Sequence, residues 1–236
     1  MTGSASGSVV LLSGGMDSAT CLALASRDAP PVHGLTFVYG QRHAREAASA
    51  RQLARRYAVV EHRTVPLPLG ALVASALTTP GAPLRHGSRR RPGVPATYVP
   101  ARNTILLGVA LGYAESHRLG RIYFGANAVD YSGYPDCRPA FVSAFNALAR
   151  RAIRSRREGG LPVRVVAPLL RLSKAEIVRL GDRLGVPWEL TWSCYAGGEE
   201  PCGRCDACRL RARGFRAAGR SDPALRGRGA TRRSAR

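Results

Sequence analysis

The sequence predicts an α/β fold: a Rossmann-like parallel sheet with helices on both faces, followed by a small C-terminal zinc-binding lobe. Strand-like and helix-like segments alternate from residue 9 to residue 185, and this alternation is typical of parallel sheets covered on both faces. A glycine-rich turn follows the first strand, which is where such sheets bind ligands. Four cysteines are grouped near the C-terminus and indicate the metal lobe.

Composition and periodicity define each element in turn. The predicted strands are 9–12, 32–38, 59–65, 121–126 and 163–169. The predicted helices are 17–27, 43–57, 102–117, 138–156 and a last one that begins at the capping box of Ser173 and Glu176 and ends at Gly185 and Pro187. Residues 66–100 are crowded with Pro and Gly, which favours an irregular insertion. We therefore expect an α/β domain over 8–187, a lobe over 188–216 and a disordered arginine-rich tail over 217–236.

The charge of the chain is strongly positive but uneven. The net charge is +21, and of the 36 basic residues only Lys174 is a lysine. This preference for arginine indicates genome-wide codon bias and a solvated surface, with contact to RNA as the alternative. No segment approaches the ~20 apolar residues of a membrane span, and the N-terminus lacks a signal-peptide pattern. We expect a cytoplasmic protein without a membrane partner, whose cysteines serve a metal or catalysis rather than disulfides.

The stretch LSGGMDSAT at 12–20 joins the first strand to the first helix. Gly14 and Gly15 let backbone N–H groups approach an anion, and the helix N-terminus adds unpaired donors and a positive dipole end. The stretch has neither the Walker ending nor the GxGxxG pattern. Asp17 would repel phosphate, so it either caps the helix or holds Mg2+. The alternative is an ordinary glycine-rich turn with Asp17 as its N-cap.

The string SGGMDS resembles the SGGxDS signature of the ATP pyrophosphatase (PP-loop) family. This resemblance implies a loop that grips the pyrophosphate of ATP in an enzyme that adenylates its substrate. The residues it assigns to ATP are Val10, Leu11, Leu12, Ser13, Gly14, Gly15, Met16, Asp17, Ser18, Ala19 and Thr20.

The cysteines Cys194, Cys202, Cys205 and Cys208 follow the spacing C-x7-C-x2-C-x2-C. Four thiolates at about 2.3 Å from a metal make a closed, structural zinc site. An iron–sulfur cluster is the rival, but the C-x3-C-P ending of ferredoxins is absent. Of the other two cysteines, Cys21 is expected in the core and the role of Cys137 stays open.

The loop NAVDYSGYPDCRPAF at 127–141 contains carboxylates and tyrosines that could hold a purine-like heterocycle. A carboxylate accepts hydrogen bonds from an N–H edge and tyrosine stacks on a ring. The alternative is a plain turn-rich loop.

Together, SGGMDS, YGQRH, YVPARN, this loop and TWSCYAGGEEPCGRCDACRLRARGF resemble the 7-cyano-7-deazaguanine synthase (QueC) family over about residues 8–216. The resemblance implies an adenine nucleotide alpha hydrolase-like fold and conversion of 7-carboxy-7-deazaguanine, ammonium and ATP into the 7-cyano compound. It also implies Mg2+ with ATP, one structural Zn2+ per chain, a homodimer and no obligatory nucleic acid. Ala101 departs from the usual glycine, which matters if that residue has a positive φ.

The resemblance and the positions of the motifs assign roles to single residues. Those assigned to catalysis are Ser13, Asp17, Ser18, Arg102 and Lys174. Those assigned to the substrate are Tyr39, Gln41, Arg42, His43, Asn103, Asp130, Tyr131, Asp136 and Arg138. Lys174 begins a helix after the last strand, at the same edge of the sheet, and we expect it to contact a phosphate of ATP.

Two other classes of protein remain as alternatives. A PP-loop enzyme that modifies tRNA directly would show ATP cleavage stimulated by RNA. A zinc-ribbon protein with a degenerate ATP fold would bind nucleic acid in a salt-dependent way and turn nothing over.

Overall fold

A five-stranded, fully parallel sheet lies at the centre of the structure, a computed structural model that describes residues 7–40, 44–73, 75, 98–127, 134–154, 158–196 and 198–225. The strands are β1 (Ser8–Leu11), β2 (Val32–Val38), β3 (Glu61–Pro66), β4 (Arg121–Tyr123) and β5 (Arg164–Val166). Their order in the sheet is β3-β2-β1-β4-β5. The predicted parallel α/β fold is therefore confirmed, and β1 is the central strand, as its four fully buried residues require.

Helices cover both faces of the sheet. They are α1 (Met16–Asp28), α2 (Ala44–Arg56), α3 (Leu69–Leu72), α4 (Arg102–Ser116), α5 (Pro139–Ala152), α6 (Lys174–Arg183) and α7 (Asp206–Ala217). Helices α1, α2, α6 and α7 share one apolar core with one face of the sheet, while α4 and α5 form a second core on the other face. The capping box predicted at Ser173 and Glu176 opens α6.

Several predicted boundaries are wrong by a few residues. Strand β4 ends at Tyr123 rather than 126 because the chain leaves the sheet there, and Gly125 packs against the backbone at Asp17. Strand β5 spans 164–166 rather than 163–169, and α5 ends at Ala152 rather than 156. The described start of the predicted insertion holds the short helix α3 and so is not wholly irregular.

The cysteine-rich segment, predicted as a small lobe over 188–216, packs against the α/β domain. Phe215 of α7 is 2% exposed and lies in the core shared with the sheet. Its ring meets Trp188 edge to face with centroids 5.5 Å apart. Trp188 in turn lies so close to Gly181 of α6 that a Cβ there would be 2.2 Å from the indole. The lobe therefore shares its core with the α/β domain.

The chain keeps defined contacts beyond residue 217, where the sequence predicts the start of the tail. Residue 217 ends α7, and Asp222 beyond it is buried in a bidentate ion pair with Arg211 at 2.8 and 3.0 Å. Arg211 also donates to the carbonyls of Thr191 and Trp188. A charged pair this buried persists only when its hydrogen bonds are satisfied, so the chain up to Asp222 is fixed to the lobe.

None of the helices in the described ranges has both the length and the apolar character needed to cross a membrane.

Candidate active site

The candidate site lies at the carboxyl edge of the sheet, between β1 and β4. The connection after β1 leads to β2 on one side, whereas β4 pairs with β5 on the other. Such a reversal opens a crevice at the carboxyl ends of the two strands, and ligands of open α/β sheets bind there. The glycine-rich stretch follows β1 and enters this crevice.

The glycine-rich stretch is a tight turn that leads into α1. Gly14 has a φ of +85°, and a Cβ there would lie 2.3 Å from the carbonyl oxygen of Glu46, so both the backbone and the space require glycine. The Gly15 N–H donates to Ser13 Oγ at 3.3 Å, and Ser18 Oγ donates to the Gly15 carbonyl at 3.0 Å. These contacts hold the turn open at the start of α1, as an anion cradle requires.

Asp17 is bound by two groups from other parts of the chain. Lys174 Nζ lies 2.5 Å from Asp17 Oδ2, and Asn127 Nδ2 donates to the same oxygen at 3.2 Å. The interpretation of Asp17 as N-cap is wrong, because Gly15 is the N-cap of α1 and has no side-chain bond. The other oxygen, Oδ1, is buried without a hydrogen-bond partner among the described residues.

A second wall of the crevice comes from the start of α4. Arg102 donates to the Tyr39 hydroxyl at 3.4 Å and to Asn103 Oδ1 at 3.3 Å. The buried carboxylate of Asp136 accepts from the Asn103 N–H at 3.1 Å, so it caps a helix whose own N-cap, Ala101, offers no side-chain acceptor. Four predicted residues, Tyr39, Arg102, Asn103 and Asp136, are thus brought together.

The amide of Asn103 holds the neighbouring loop in place. Its Nδ2 donates to the Asp136 carbonyl at 3.3 Å and lies 3.2 Å from Cys137 Sγ. Cys137, whose role the sequence leaves open, is 4% exposed and packs in the second core. Cys21 lies in the first core as predicted, and burial raises the pKa of its thiol, followed by the effect of Asp17.

Glu46, in the first turn of α2, adds a carboxyl to the same crevice. Its backbone touches Gly14 of the loop. The residue is partly exposed as a whole, and its carboxyl makes no hydrogen bond or ion pair with the described part of the chain. Burial raises the pKa of this carboxyl to about 8, and Arg102 lowers it by a smaller amount.

The cysteine-rich segment contacts the loop and Lys174 directly. The Trp192 N–H donates to the Gly14 carbonyl at 2.9 Å, and the guanidinium of Arg45 lies 5.4 Å from the centre of the Trp192 ring. Gly214 of α7 faces Lys174 so closely that a Cβ would lie 2.8 Å from Lys174 Cβ. The segment therefore positions two parts of the candidate site.

The four predicted cysteines converge at one point, and their sulfurs all lie within 4.8 Å of one another. Tetrahedral ligation at about 2.3 Å requires sulfurs about 3.8 Å apart. Cys194 Sγ accepts the Cys202 N–H at 3.2 Å, and Cys202 Sγ accepts the Cys205 N–H at 3.3 Å. Backbone donors to sulfur stabilise thiolates, so the cluster could hold a metal ion.

The remaining predicted residues divide into three groups. Gln41, Arg42, His43, Asp130 and Tyr131 lie outside the described residues. Arg138 is exposed beside Asp136. The third group has buried side chains, which support the loop and do not face a ligand. Its members are Val10, Leu11, Leu12, Met16, Ala19 and Thr20.

Sequence reasoning missed Glu46, Asn127 and Trp192. Glu46 lies in the predicted helix 43–57 as an ordinary helix-forming residue, and no local pattern shows that it lies against the turn. Asn127 lies in the segment that follows β4, and this position after an inner strand of the sheet was the available signal. The contact of Trp192 with Gly14 spans 178 positions along the chain and has no sequence signature.

Comparison with known proteins identifies the family. The family model described as "Queuosine biosynthesis protein QueC" matches residues 7–219. The chain belongs to this family. A 7-cyano-7-deazaguanine synthase of Anaeromyxobacter sp. (strain Fw109-5) is 53% identical over 221 residues, which are 92% of this chain and 94% of the relative. The synthase of Nostoc punctiforme (strain ATCC 29133 / PCC 73102) is 49% identical over 218 residues, 91% of this chain and 97% of the relative.

Among solved structures, an NMN synthetase from Francisella tularensis is similar at 18% identity and a TM-score of 0.49, over 91% of this chain and 78% of that one. The QueC family expected from the motifs is confirmed by the match to its family model, and the chain is an enzyme of that family.

Proposed function

We propose that the protein is a 7-cyano-7-deazaguanine synthase, which joins 7-carboxy-7-deazaguanine and ammonium at the cost of two ATP. The observation that carries the proposal is the PP-loop turn held by Lys174 on one side of a crevice with Arg102 on the other. Support comes from relatives of that name that are about half identical over nearly the whole chain.

The first step is adenylation of the substrate carboxylate, because a carboxylate is a poor electrophile until it carries a good leaving group. The N–H groups of the turn and the hydroxyls of Ser13 and Ser18 bind the pyrophosphate that leaves. Lys174 and Arg102 neutralise negative charge that develops during transfer, and their positions are fixed before ATP binds. Fixed charges at the reacting centre are a large part of catalysis of this kind.

Attack by ammonia then gives an amide, whose oxygen is adenylated in a second round. Loss of AMP from that adenylated amide leaves the nitrile. Neither round needs a covalent nucleophile, and the buried position of Cys137 agrees with this. The residues predicted to hold the deazapurine, among them Gln41, Asp130, Tyr131 and Arg138, stay predictions, as does recognition of its N–H edge by Asp136.

A magnesium ion fits the site beside the turn. Asp17 Oδ1 is a buried carboxylate oxygen without a partner in the described residues, and Mg2+ binds one or two carboxylates together with phosphates. When bound, the ion supplies neutralisation of charge between the phosphates.

We assign the four-cysteine cluster to one structural zinc ion per chain. Four thiolates at these distances leave no open position for catalysis. Elemental analysis checks the assignment, because an iron–sulfur cluster would give iron, sulfide and a brown colour. We also propose a cytoplasmic homodimer, and light scattering tests the dimer.

The test of the function is a mass-spectrometric assay with purified protein, Mg-ATP, ammonium chloride and 7-carboxy-7-deazaguanine. We expect the 7-cyano product together with two AMP and two pyrophosphate per turnover. If ATP stays intact with this acid but is cleaved when tRNA is added, the proposal is wrong and direct modification of tRNA replaces it.

A further inference from the structure

Amide formation requires a group that accepts protons from nitrogen, and this requirement arises from the proposed function on which the present inference rests. In the first half, ammonia bonds to the adenylated carbon, one N–H proton departs, and the C–O bond breaks so that its electron pair leaves with AMP. In the second half, one N–H proton passes to water when the amide oxygen is adenylated. The last N–H proton departs as the C–O bond breaks, its electron pair leaves with AMP and the nitrile forms. All three protons leave the same nitrogen.

The described carboxylates at this edge of the sheet differ in how they are engaged. Asp17 is paired with Lys174 and bonded to Asn127, and Asp136 accepts the N–H of Asn103. Asp17 is also the carboxylate proposed to bind magnesium, and Asp136 caps α4. Among the described residues of the crevice, Glu46 is the carboxyl that makes no such bond.

The location of Glu46 suits a base that acts next to the bound nucleotide. Helices α2 and α4 lie on opposite faces of the sheet. The positive charge of Arg102, at the start of α4, nevertheless lowers the pKa of Glu46 on α2. The backbone carbonyl of Glu46 lies against Gly14 of the turn, which places the residue at the carboxyl edge of the sheet. The residue as a whole is partly exposed, so it is not sealed inside the core.

We propose that Glu46 is the base that removes the proton from nitrogen in both halves of the reaction. The carboxylate becomes a neutral carboxylic acid in each half and returns its proton to water before the next. The pKa of about 8 suits this cycle, since a general base works best when its pKa is near the working pH.

Within the described ranges, four helices supply the charged groups near the turn against which Glu46 lies. Arg102 of α4 lowers the pKa of Glu46 by less than burial raises it. Asp17 of α1 and Lys174 of α6 are paired with each other. Arg45, its neighbour on α2, is turned toward Trp192.

Glu46→Gln tests the proposal, because the amide has the same shape and cannot accept the proton. Adenylation is followed by exchange of labelled pyrophosphate into ATP, which requires 7-carboxy-7-deazaguanine but no ammonium. We expect the variant to keep this exchange within about threefold and to lose about 100-fold or more in nitrile formation. Glu115→Gln, at the far end of α4, is the matched control and should keep both activities.

The pH dependence gives a second readout, measured at constant free ammonia. The rate of nitrile formation by the wild type should increase with pH up to about pH 8, and Glu46→Gln should lack this increase. Normal nitrile formation by Glu46→Gln, or equal loss of exchange and nitrile formation, overturns the role of Glu46 while the proposed function stands. Absence of exchange in the wild type with this acid overturns the proposed function itself.

Discussion

Ala101 shows a conflict between one residue and its backbone. Its φ is +52° at the N-cap of α4, a conformation that costs an alanine about 1–2 kcal/mol. The resemblance to the family implies glycine at this position, and the structure supplies the sign of φ. The residue immediately precedes Arg102, so this strain lies next to the candidate site.

We expect Ala101→Gly to raise the free energy of unfolding by about 0.5–1 kcal/mol, because relief of the strain outweighs the extra freedom of glycine in the unfolded chain. Ala48→Gly, within α2, is the control and should lower it by about 1 kcal/mol. Urea unfolding measures both. A less stable Ala101→Gly would show that the left-handed backbone carries no strain.

Lys174 is a residue where arginine should not substitute. Its ammonium pairs with Asp17 and its Cβ lies against Gly214, so the longer, planar guanidinium has no room to keep this pair and also meet a phosphate. We expect Lys174→Arg to lower pyrophosphate exchange at least about tenfold. Arg171→Lys, on the exposed segment just before α6, should not. Full turnover by Lys174→Arg would refute the contact with phosphate.

Glu46 also makes stability depend on pH. Its pKa is about 8 in the folded protein and 4.5 ordinarily, so the folded state binds more protons between these values and stability falls as pH rises through them. Glu46→Gln removes the effect. We expect it to match the wild type near pH 4.5 and to be more stable by about 4–5 kcal/mol at pH 9, as measured by urea unfolding. Equal stability of the two proteins at pH 9 would contradict the burial of this carboxyl.

At the scale of elements, the sequence predicts those features that depend only on neighbouring residues along the chain. Strand β2 was predicted at its observed bounds, 32–38, and the capping box of α6 was found from Ser173 and Glu176 alone. The ends of β4 and β5 were not predicted, since the chain leaves the sheet after Tyr123 to reach Asp17. That departure depends on a distant partner and leaves no periodic signal.

The packing of α7 on α6 gives a prediction that links an element to the site. A Cβ at Gly214 would press on Lys174 Cβ at 2.8 Å and on its backbone at 3.3 Å. We expect Gly214→Ala to cost about 2 kcal/mol in unfolding free energy and to raise the KM for ATP by displacing Lys174. The control is Gly112→Ala in α4, where nothing lies within 4 Å of the added methyl. This control should raise the free energy of unfolding by about 0.5–1 kcal/mol and leave the KM for ATP unchanged. A wild-type KM for ATP in Gly214→Ala would show that the packing of α7 does not position Lys174.

At the scale of the whole molecule, the sequence predicts the parts of the site but not their assembly. The loop and the cysteines carry strong local motifs, whereas the strand order and the join between the two units depend on long-range packing. The sequence therefore predicts a separate lobe, whereas in the structure this segment packs on the core through Trp188 and Phe215. The same join brings Trp192 to Gly14, so the metal cluster and the ATP loop belong to one unit.

Because the cysteine-rich segment contacts the ATP loop, we expect loss of the metal to weaken nucleotide binding. Without a metal the four thiolates repel one another, and Trp192, whose indole N–H donates to the Cys194 carbonyl at 3.0 Å, loses its support beneath Gly14. We expect removal by a chelator, or Cys202→Ser, to lower the melting temperature and to raise the Kd for ATP about tenfold, as measured by calorimetry. Cys21→Ala, which alters a core cysteine outside the cluster, should keep one metal per chain and bind ATP normally. Undiminished ATP binding by metal-free protein would mean that the ion pair of Arg211 and Asp222 holds the segment on the loop without the metal.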